Sequence, residues 1–316
     1  MGGVTWHGTR SGSPLPRPLP QDKGRRKGLS GRARHALFAY GLVFPAVLVL
    51  LGLVGYPFLY AILIAFTNRV VGNAGDWVGF ANFRYLANSP DFQASVRNTI
   101  TLVVVSDICK LAIGLSMALL VSQRLPGRGL FRSILMLPWA MPAFVVFLVW
   151  RVIYQPIGGG LNLVLTATNI TPAIIDWLGQ RSTAMPAVIA ATVWRGFPFW
   201  FISILAALQT IPTEQYEAAR VDGANAWQRF RAVTWPGISQ VVIVTTLLSS
   251  IWTANSFENV WLLTQGGPSD ATMVFPVLAY FGMQTQQLGQ AAAVSVAMLP
   301  VLAILVFSAT AMTRRE

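Results

Sequence analysis

In the stretch EAARVDGANAWQRFRAVTWP, residues 217–236, ionisable groups crowd around one glycine. Glu217, Arg220, Asp222, Arg229 and Arg231 flank Gly223, with Glu214 just upstream, in a chain that is 54% hydrophobic and only 11% charged. Such groups suit charge-assisted contacts with a partner surface. Groups for other chemistries are few. The single cysteine, Cys109, lies inside an apolar run, and His7 and His35 lie in or beside the N-terminal tail, so neither a disulfide nor a haem or zinc ligand cluster is expected. No G-x-x-x-x-G-K-[ST] phosphate loop occurs, and Lys23, Lys27 and Lys110 lie in other contexts. Any ATP is hydrolysed on another chain.

The elements that must hold this island are apolar. Soluble domains carry about a quarter charged residues, more than twice the share here, and the mean hydropathy is +0.56. Several apolar runs exceed the roughly 18–20 residues that cross a bilayer. These features predict an all-α integral membrane protein. The net charge of +12 then reads as orientation rather than nucleic-acid binding, because basic residues beside spans set topology.

Six spans can be drawn, at 36–67, 96–122, 131–154, 184–210, 237–263 and 289–312. With both termini in the cytoplasm, sixteen Lys and Arg residues fall inside and five outside (Arg69, Arg84, Arg97, Arg151 and Arg181). That asymmetry puts the charged island on the cytoplasmic side. Residues 1–34, rich in Gly, Pro, Arg and Ser, read as a disordered basic cytoplasmic tail. A cleaved signal peptide fits less well, since the apolar run that follows is too long for a signal core. Residues 35–316 form the membrane domain. Pro57, Pro138, Pro142 and Pro198 interrupt its spans and predict kinks.

Local rules give the island a shape. Pro212 ends the fourth span, and Thr213 can cap a short helix over 213–221 with acidic residues in its first turn. Asp222-Gly223 breaks it, and a second short helix is expected over 224–232 before Pro236 opens the fifth span. Trp227 and Phe230, three apart, share a face of that helix. A helix–glycine–helix with an aromatic ridge and a charged rim suits docking to a protein, and equally an amphipathic loop resting on lipid headgroups.

The spacing Glu-Ala-Ala, three residues, Gly, nine residues, Val, one residue, Trp-Pro resembles the EAA motif of permease subunits in binding-protein-dependent ABC importers. Glu217, Ala218, Ala219, Gly223, Val233 and Pro236 occupy its positions, with Trp235 where the family usually has Leu. IPTEQYEAARVDGA (211–224), FENVWLLTQGGPSDAT (257–272) and VGFANFRYL (78–86) are similar to the carbohydrate branch, the maltose-type permeases in their short six-span form. The resemblance covers the chain from its first span to its last. It implies the type I ABC importer permease fold in a bacterial or archaeal inner membrane, with the coupling loop at 212–236. It further implies a second homologous permease, two copies of an ABC ATPase that carry ATP and Mg, and an extracytoplasmic sugar-binding protein. The chain itself would carry no cofactor, metal or catalytic residue. The family's motif gives Glu217 a place against basic groups of the ATPase, with Gly223 as the elbow and Ala218 and Ala219 allowing close approach. Trp227 and Phe230 are added here, from their spacing, as groove-filling anchors.

Charges inside spans suggest where a solute passes. Asp107 and Lys110, three apart on the second span, can form an ion pair that fixes packing, while Arg195, in WRGFPFWF, can snorkel outward or pair with a neighbouring chain. The fifth span is polar over a wide arc: Ser249, Trp252, Thr253, Asn255, Ser256, Glu258 and Asn259. Sugar sites mix hydrogen-bonding groups with aromatic plates. Trp252, Asn255 and Glu258, with Trp194 and Phe197 of the fourth span, are therefore the expected substrate path. The loop at 263–275 is expected outside the membrane, as a binding-protein contact or a plain surface turn. An alternative function is an ion-coupled secondary transporter or channel working without ATPase subunits, with Asp107 and Glu258 as carboxylates.

Overall fold

The computed structural model describes residues 31–123 and 126–313, together with Gly2 and Gly3. Nearly all of the expected tail lies outside the described residues, as do Arg314 and Arg315. At the tail's end a helix has already begun: α1, Gly31–Leu50. The chain divides at Pro57. In the N-terminal unit α1 runs into a π-turn, Leu51–Gly55, that ends two residues before Pro57. Proline cannot donate to the carbonyl one turn back, and the wider turn accommodates that lost bond. Phe38–Ala65 is a helical stretch of 28 residues apolar enough to cross a membrane.

The larger unit is built almost wholly of helices. After α2 (Tyr56–Ala65) and α3 (Ala81–Asn88) comes α4, Pro90–Ser122, of 33 residues. Its start is specified locally: Ser89 caps it, accepting from the Phe92 amide, Pro90 stands in the first turn and Asp91 adds negative charge there. At about 1.5 Å per residue such a helix exceeds the bilayer's hydrocarbon core. Next are α5 (Arg128–Ala140), α6 (Ala143–Ile153) and α7 (Gly160–Ala167), followed by the 30-residue α8, Arg181–Thr210. The chain continues with α9 (Thr213–Val221), α10 (Ala226–Arg229), α11 (Trp235–Ala254), α12 (Glu258–Leu263), α13 (Phe275–Gln284) and α14 (Leu288–Thr313).

Two expected spans differ in form. The third is broken: α5 and α6 meet at 91°, because Met141, preceding Pro142, is held extended. The fifth ends early, at Ala254, and resumes as α12 only after Asn255–Phe257. It also begins early, since Ala226–Ala254 is one span candidate of 29 residues. Pro236 does not open it. A π-turn at Phe230–Thr234 carries the helix past this proline, as Leu51–Gly55 does before Pro57. In contrast, α8 remains one helix through Pro186 and Pro198.

Three apolar clusters order the unit along its length. Ala118 and Val121 of α4 pack with Trp200, Phe201, Ile204 and Leu205 of α8 and Ile238 and Val242 of α11. Toward the other end Leu102, Val146, Met185, Val188, Val260 and Val277 bring α4, α6, α8, α12 and α13 together. A third cluster joins Ala65, Val103, Ala254, Phe275 and Val294. Thus α4 and α8 run alongside in the same sense and α11 returns against them. Their crossing is close at Gly114, where an added Cβ would stand 2.6 Å from Trp200 Cβ and 3.0 Å from the Phe201 amide nitrogen.

Gly114→Val is therefore expected to force α4 off α8 and destabilise the fold by about 1–3 kcal/mol, the usual cost of overpacking. Thermal unfolding of detergent-solubilised protein checks this against Gly129→Ala, where the new methyl meets nothing within 4 Å.

Candidate functional site

At the end of α8 the chain turns into an exposed elbow. Helix α9 starts at Thr213 with Pro212, not Thr213, in the capping position and no side-chain cap. Its far end closes by the Schellman pattern: the Ala224 amide donates to Ala219 at 2.9 Å and the Gly223 amide to Arg220 at 3.0 Å. Gly223 sits at φ +78°, a left-handed conformation that disfavours side chains. The return begins with a capping box, in which the Gln228 amide donates to Asn225 Oδ1 at 2.9 Å and the Asn225 amide to Gln228 Oε1 at 2.7 Å. Arg229 Nη1 donates to the Ala224 carbonyl at 2.7 Å, and Tyr216 and Thr234 share a hydroxyl bond of 3.1 Å across the elbow. The second helix is shorter than expected: α10 covers four residues before the π-turn.

This frame brings most of the expected contact residues to the surface. Glu217, Ala218 and Gly223 are exposed and Ala219 is half-buried. Trp227 and Phe230 stack with ring centroids 5.5 Å apart at 19°, yet Trp227 remains 68% exposed and Val221 88%. The elbow is rigid by its own hydrogen bonds while its apolar groups are left uncovered.

Further along the helices lies a buried polar network. Lys110 Nζ is 3.3 Å from Asp107 Oδ1 and donates to Ser249 Oγ at 3.3 Å and Thr253 Oγ1 at 2.8 Å. Ser249 and Ser250 donate to the two Asp107 oxygens at 2.6 and 2.7 Å. The expected pair on α4 is thus a bridge from α4 to α11, with Asp107 6% and Lys110 3% exposed. Gly196 of α8 makes room for it, since an added Cβ would come 2.7 Å from Lys110 Cε.

Beside the network a cavity of about 80 Å³ opens, lined by Lys110, Trp139, Thr192, Arg195, Phe199, Trp252 and Ser256 among others. Of the five residues expected on the substrate path, Trp252 lines it. Trp194 is exposed and meets Trp150 edge-on at 5.8 Å; Asn255 and Glu258 are exposed at the break between α11 and α12. Phe197 is buried, and Phe199, two residues on, lines the cavity 5.0 Å from the Trp252 ring. Two residues along a helix is a rotation of about 200°, so only one ring of the pair can face the space. Trp139 went unnoticed because it contributes only through the break between α5 and α6. Arg195 is half-buried and lines the cavity.

The loop 263–275 is no plain surface turn. Gln265, Gly266, Ser269 and Asp270 have positive φ, and Thr272 is fully buried, donating to the Gly267 carbonyl at 2.7 Å. Asn98 Nδ2 donates to the Asp270 carbonyl at 2.8 Å and the Phe275 amide to Thr99 Oγ1 at 3.2 Å, which pins the loop to the end of α4 away from the elbow.

A family model described as the binding-protein-dependent transport system inner membrane component matches residues 110–316. The chain belongs to this family. The trehalose/maltose transport system permease protein MalF of Thermococcus litoralis is 32% identical over 264 residues, 83% of this chain and 89% of that protein. The diacetylchitobiose uptake system permease protein DasB of Streptomyces coelicolor is 32% identical over 294 residues, 89% of each chain. Among solved structures, a chain of a bacterial ABC transporter that imports the acidic polysaccharide alginate superposes with a TM-score of 0.78 at 24% identity, covering 89% of this chain and 96% of that one. That likeness shows the fold, an ABC importer permease. The permease is a multi-pass inner membrane protein and a transport component, not an enzyme.

Removing one partner of its buried ion pair should be worse than removing both. Asp107→Asn leaves an unpaired ammonium and is expected to cost about 3–5 kcal/mol, whereas Asp107→Asn with Lys110→Met should recover most of that. Thermal stability and membrane-inserted yield of the two variants, set against the unaltered protein, measure it.

Proposed function

We propose that this permease carries a sugar or oligosaccharide, delivered by an extracytoplasmic solute-binding protein and moved at the expense of ATP hydrolysed on two ABC ATPase copies, which hold the ATP and Mg. A second, homologous permease completes the pathway, and both termini lie in the cytoplasm, with residues 1–34 as a tail on the membrane domain. The observation that carries this reading is the elbow: a segment tied by its own hydrogen bonds, charged at its rim and aromatic at its crest, that the described residues leave exposed. Glu217 offers a carboxylate to basic groups of the ATPase, Gly223 makes the bend, Ala218 and Ala219 permit close approach, and Trp227 with Phe230 fill a groove on the motor. The sugar reading draws support from relatives named for trehalose and maltose, diacetylchitobiose and maltodextrin. It also fits the mixture of aromatic rings and hydroxyls around the cavity. Trp252 carries the substrate path, Trp194, Asn255 and Glu258 flank it at exposed positions, and Phe197 backs it from the interior.

The test is uptake into vesicles containing the assembled importer. Transport should require both ATP and the binding protein; transport driven instead by an ion gradient would overturn the reading. Glu217→Lys reverses the docking charge, and Gly223→Pro cannot adopt the +78° φ at the bend. Both are expected to abolish uptake while the protein still inserts, and normal uptake by both would remove the coupling role. On the substrate side, Trp252→Ala should lower uptake by about tenfold, consistent with the loss of one aromatic contact, with ATPase association unchanged.

A further inference from the structure

The cavity has two regular walls. Thr192, Arg195, Gly196 and Phe199 line it from α8, and Ser249, Trp252, Thr253 and Ser256 line it from α11 and the break that follows. Each set is spaced i, i+3, i+4, i+7, the spacing of one helix face. Two contacts fix how the walls oppose one another. The Phe199 and Trp252 rings meet at 5.0 Å, and Asn259 Nδ2 donates to Thr192 Oγ1 at 3.1 Å. Seven residues separate these contacts on either wall, so Arg195, four before Phe199, stands level with Ser256, four beyond Trp252. Along α8 the guanidinium's residue is about 6 Å, one turn, from the ring pair.

Most polar side chains of the lining are already committed. Lys110 is held by Asp107, Ser249 and Thr253, Ser249 donates to Asp107, and Thr192 donates to the Val188 carbonyl. Arg195 differs: among the described residues it makes no hydrogen bond or ion pair, and its Nε is buried without an acceptor. The Ser256 hydroxyl likewise bonds to none of the described residues. A guanidinium carries five donors in a fixed fork and no acceptor, and a charge at membrane depth faces an interior or a partner. Among the described residues no acidic side chain lines the cavity. The oxygens that Arg195 lacks must therefore come from what enters. Two adjacent hydroxyls of a sugar offer acceptor oxygens to the fork and keep their protons for Ser256, while Trp252 and Phe199, one turn away, offer rings to its C–H face. The space is about 80 Å³, below the roughly 300 Å³ at which pockets enclosing a whole ligand begin, so this wall holds one edge of a solute.

We propose that Arg195 is a substrate-binding residue of this permease, holding two adjacent hydroxyl oxygens of a sugar together with Ser256 while Trp252 and Phe199 carry the ring's C–H face. This deepens the sugar reading above and rests on it. The test is equilibrium binding to the assembled importer in nanodiscs, without its binding protein. The probes are maltose, trehalose and diacetylchitobiose and, for whichever binds, its singly deoxygenated analogues. Wild type should bind at least one probe and lose about tenfold in affinity when one particular hydroxyl is removed, in line with a hydrogen bond to a charged group. Arg195→Gln should weaken binding of the parent sugar by about tenfold and show little further loss on that analogue, since the bond is already gone. A purely structural arginine would leave the penalty for the missing hydroxyl in place. Ser256→Ala should weaken the parent sugar by about threefold, the effect of a neutral hydrogen bond. Arg195→Lys, which keeps the charge and loses the fork, serves where Arg195→Gln fails to assemble, and it should also weaken binding. Parent-sugar binding unchanged in the Arg195 variants, or every deoxygenation penalty unchanged, would overturn the role of Arg195 and leave the sugar reading standing. Loss of the second permease from both variants would place the arginine at the subunit interface and overturn its role in binding. Wild type that binds none of the probes would overturn the sugar reading and this proposal with it.

Discussion

A lysine ammonium and an aspartate carboxylate buried side by side between helices set the terms for the rest of the permease. Neither charge is tolerable at that depth alone, and their mutual attraction does not fully offset the loss of water. Here the deficit is met by three hydroxyls, Ser249, Ser250 and Thr253, all from α11. The pair itself belongs to α4, so satisfying it requires α4 and α11 to meet in one register. The third helix is constrained in turn, because α8 reaches this point only with Gly196, whose lack of a side chain leaves space for the lysine stem. Polar groups that look like a weakness in an apolar span therefore fix three helices against each other more specifically than the apolar clusters on either side.

The same three helices connect the two ends of the molecule. The elbow is joined directly to α8 at one side and, through an unbroken helical path, to α11 at the other. Its Schellman closure, capping box and the Tyr216–Thr234 bond tie its two limbs together, so it has little freedom to flex internally. A force on the elbow is then transmitted to α8 and α11 as units rather than absorbed in a loop. From Thr210 to Arg195 the helical rise is about 22 Å, and Trp252 lies at a comparable depth on α11. This is the geometry a mechanical connection between an external motor and an internal cavity needs.

Much of this was legible in the sequence, and the reasons differ by feature. The spans were visible because the bilayer demands long apolar runs, and the bend at Gly223 because Asp-Gly between two short helical stretches is a natural break. The ion pair was visible because two opposite charges three apart on a helix can reach each other. What stayed hidden depends on tertiary contacts. Nothing local distinguishes Phe197 from Phe199 until the packing of α8 against α4 and α11 decides which side is interior. Pro142 forces a turn while Pro198 leaves α8 whole, although both read alike; Met141 ahead of Pro142 is extended, whereas the residues before Pro198 stay within the helix. The second elbow helix was drawn too long because a π-turn, which carries no simple sequence signal, let α11 begin before its proline.

The two broken spans explain why the cavity lies where it does. Irregular backbone at membrane depth leaves amides and carbonyls without helical partners, and it persists only where protein or an aqueous space satisfies them. The break between α5 and α6 has Trp139 on one side and Phe147 on the other, and both side chains line the cavity. The break after α11 follows Trp252 and Thr253 and contains Ser256, and all three line the same cavity. Both interruptions thus open onto one space, beside the network that anchors α4 to α11. Either break alone would be a defect in a span; here both carry aromatic or hydroxyl side chains that line the one cavity. A cavity built from helix ends can also change shape by small rotations of the segments around it, whereas one carved into continuous helices would require whole spans to separate. That makes this region the part of the fold best suited to open first to one side of the membrane and then to the other.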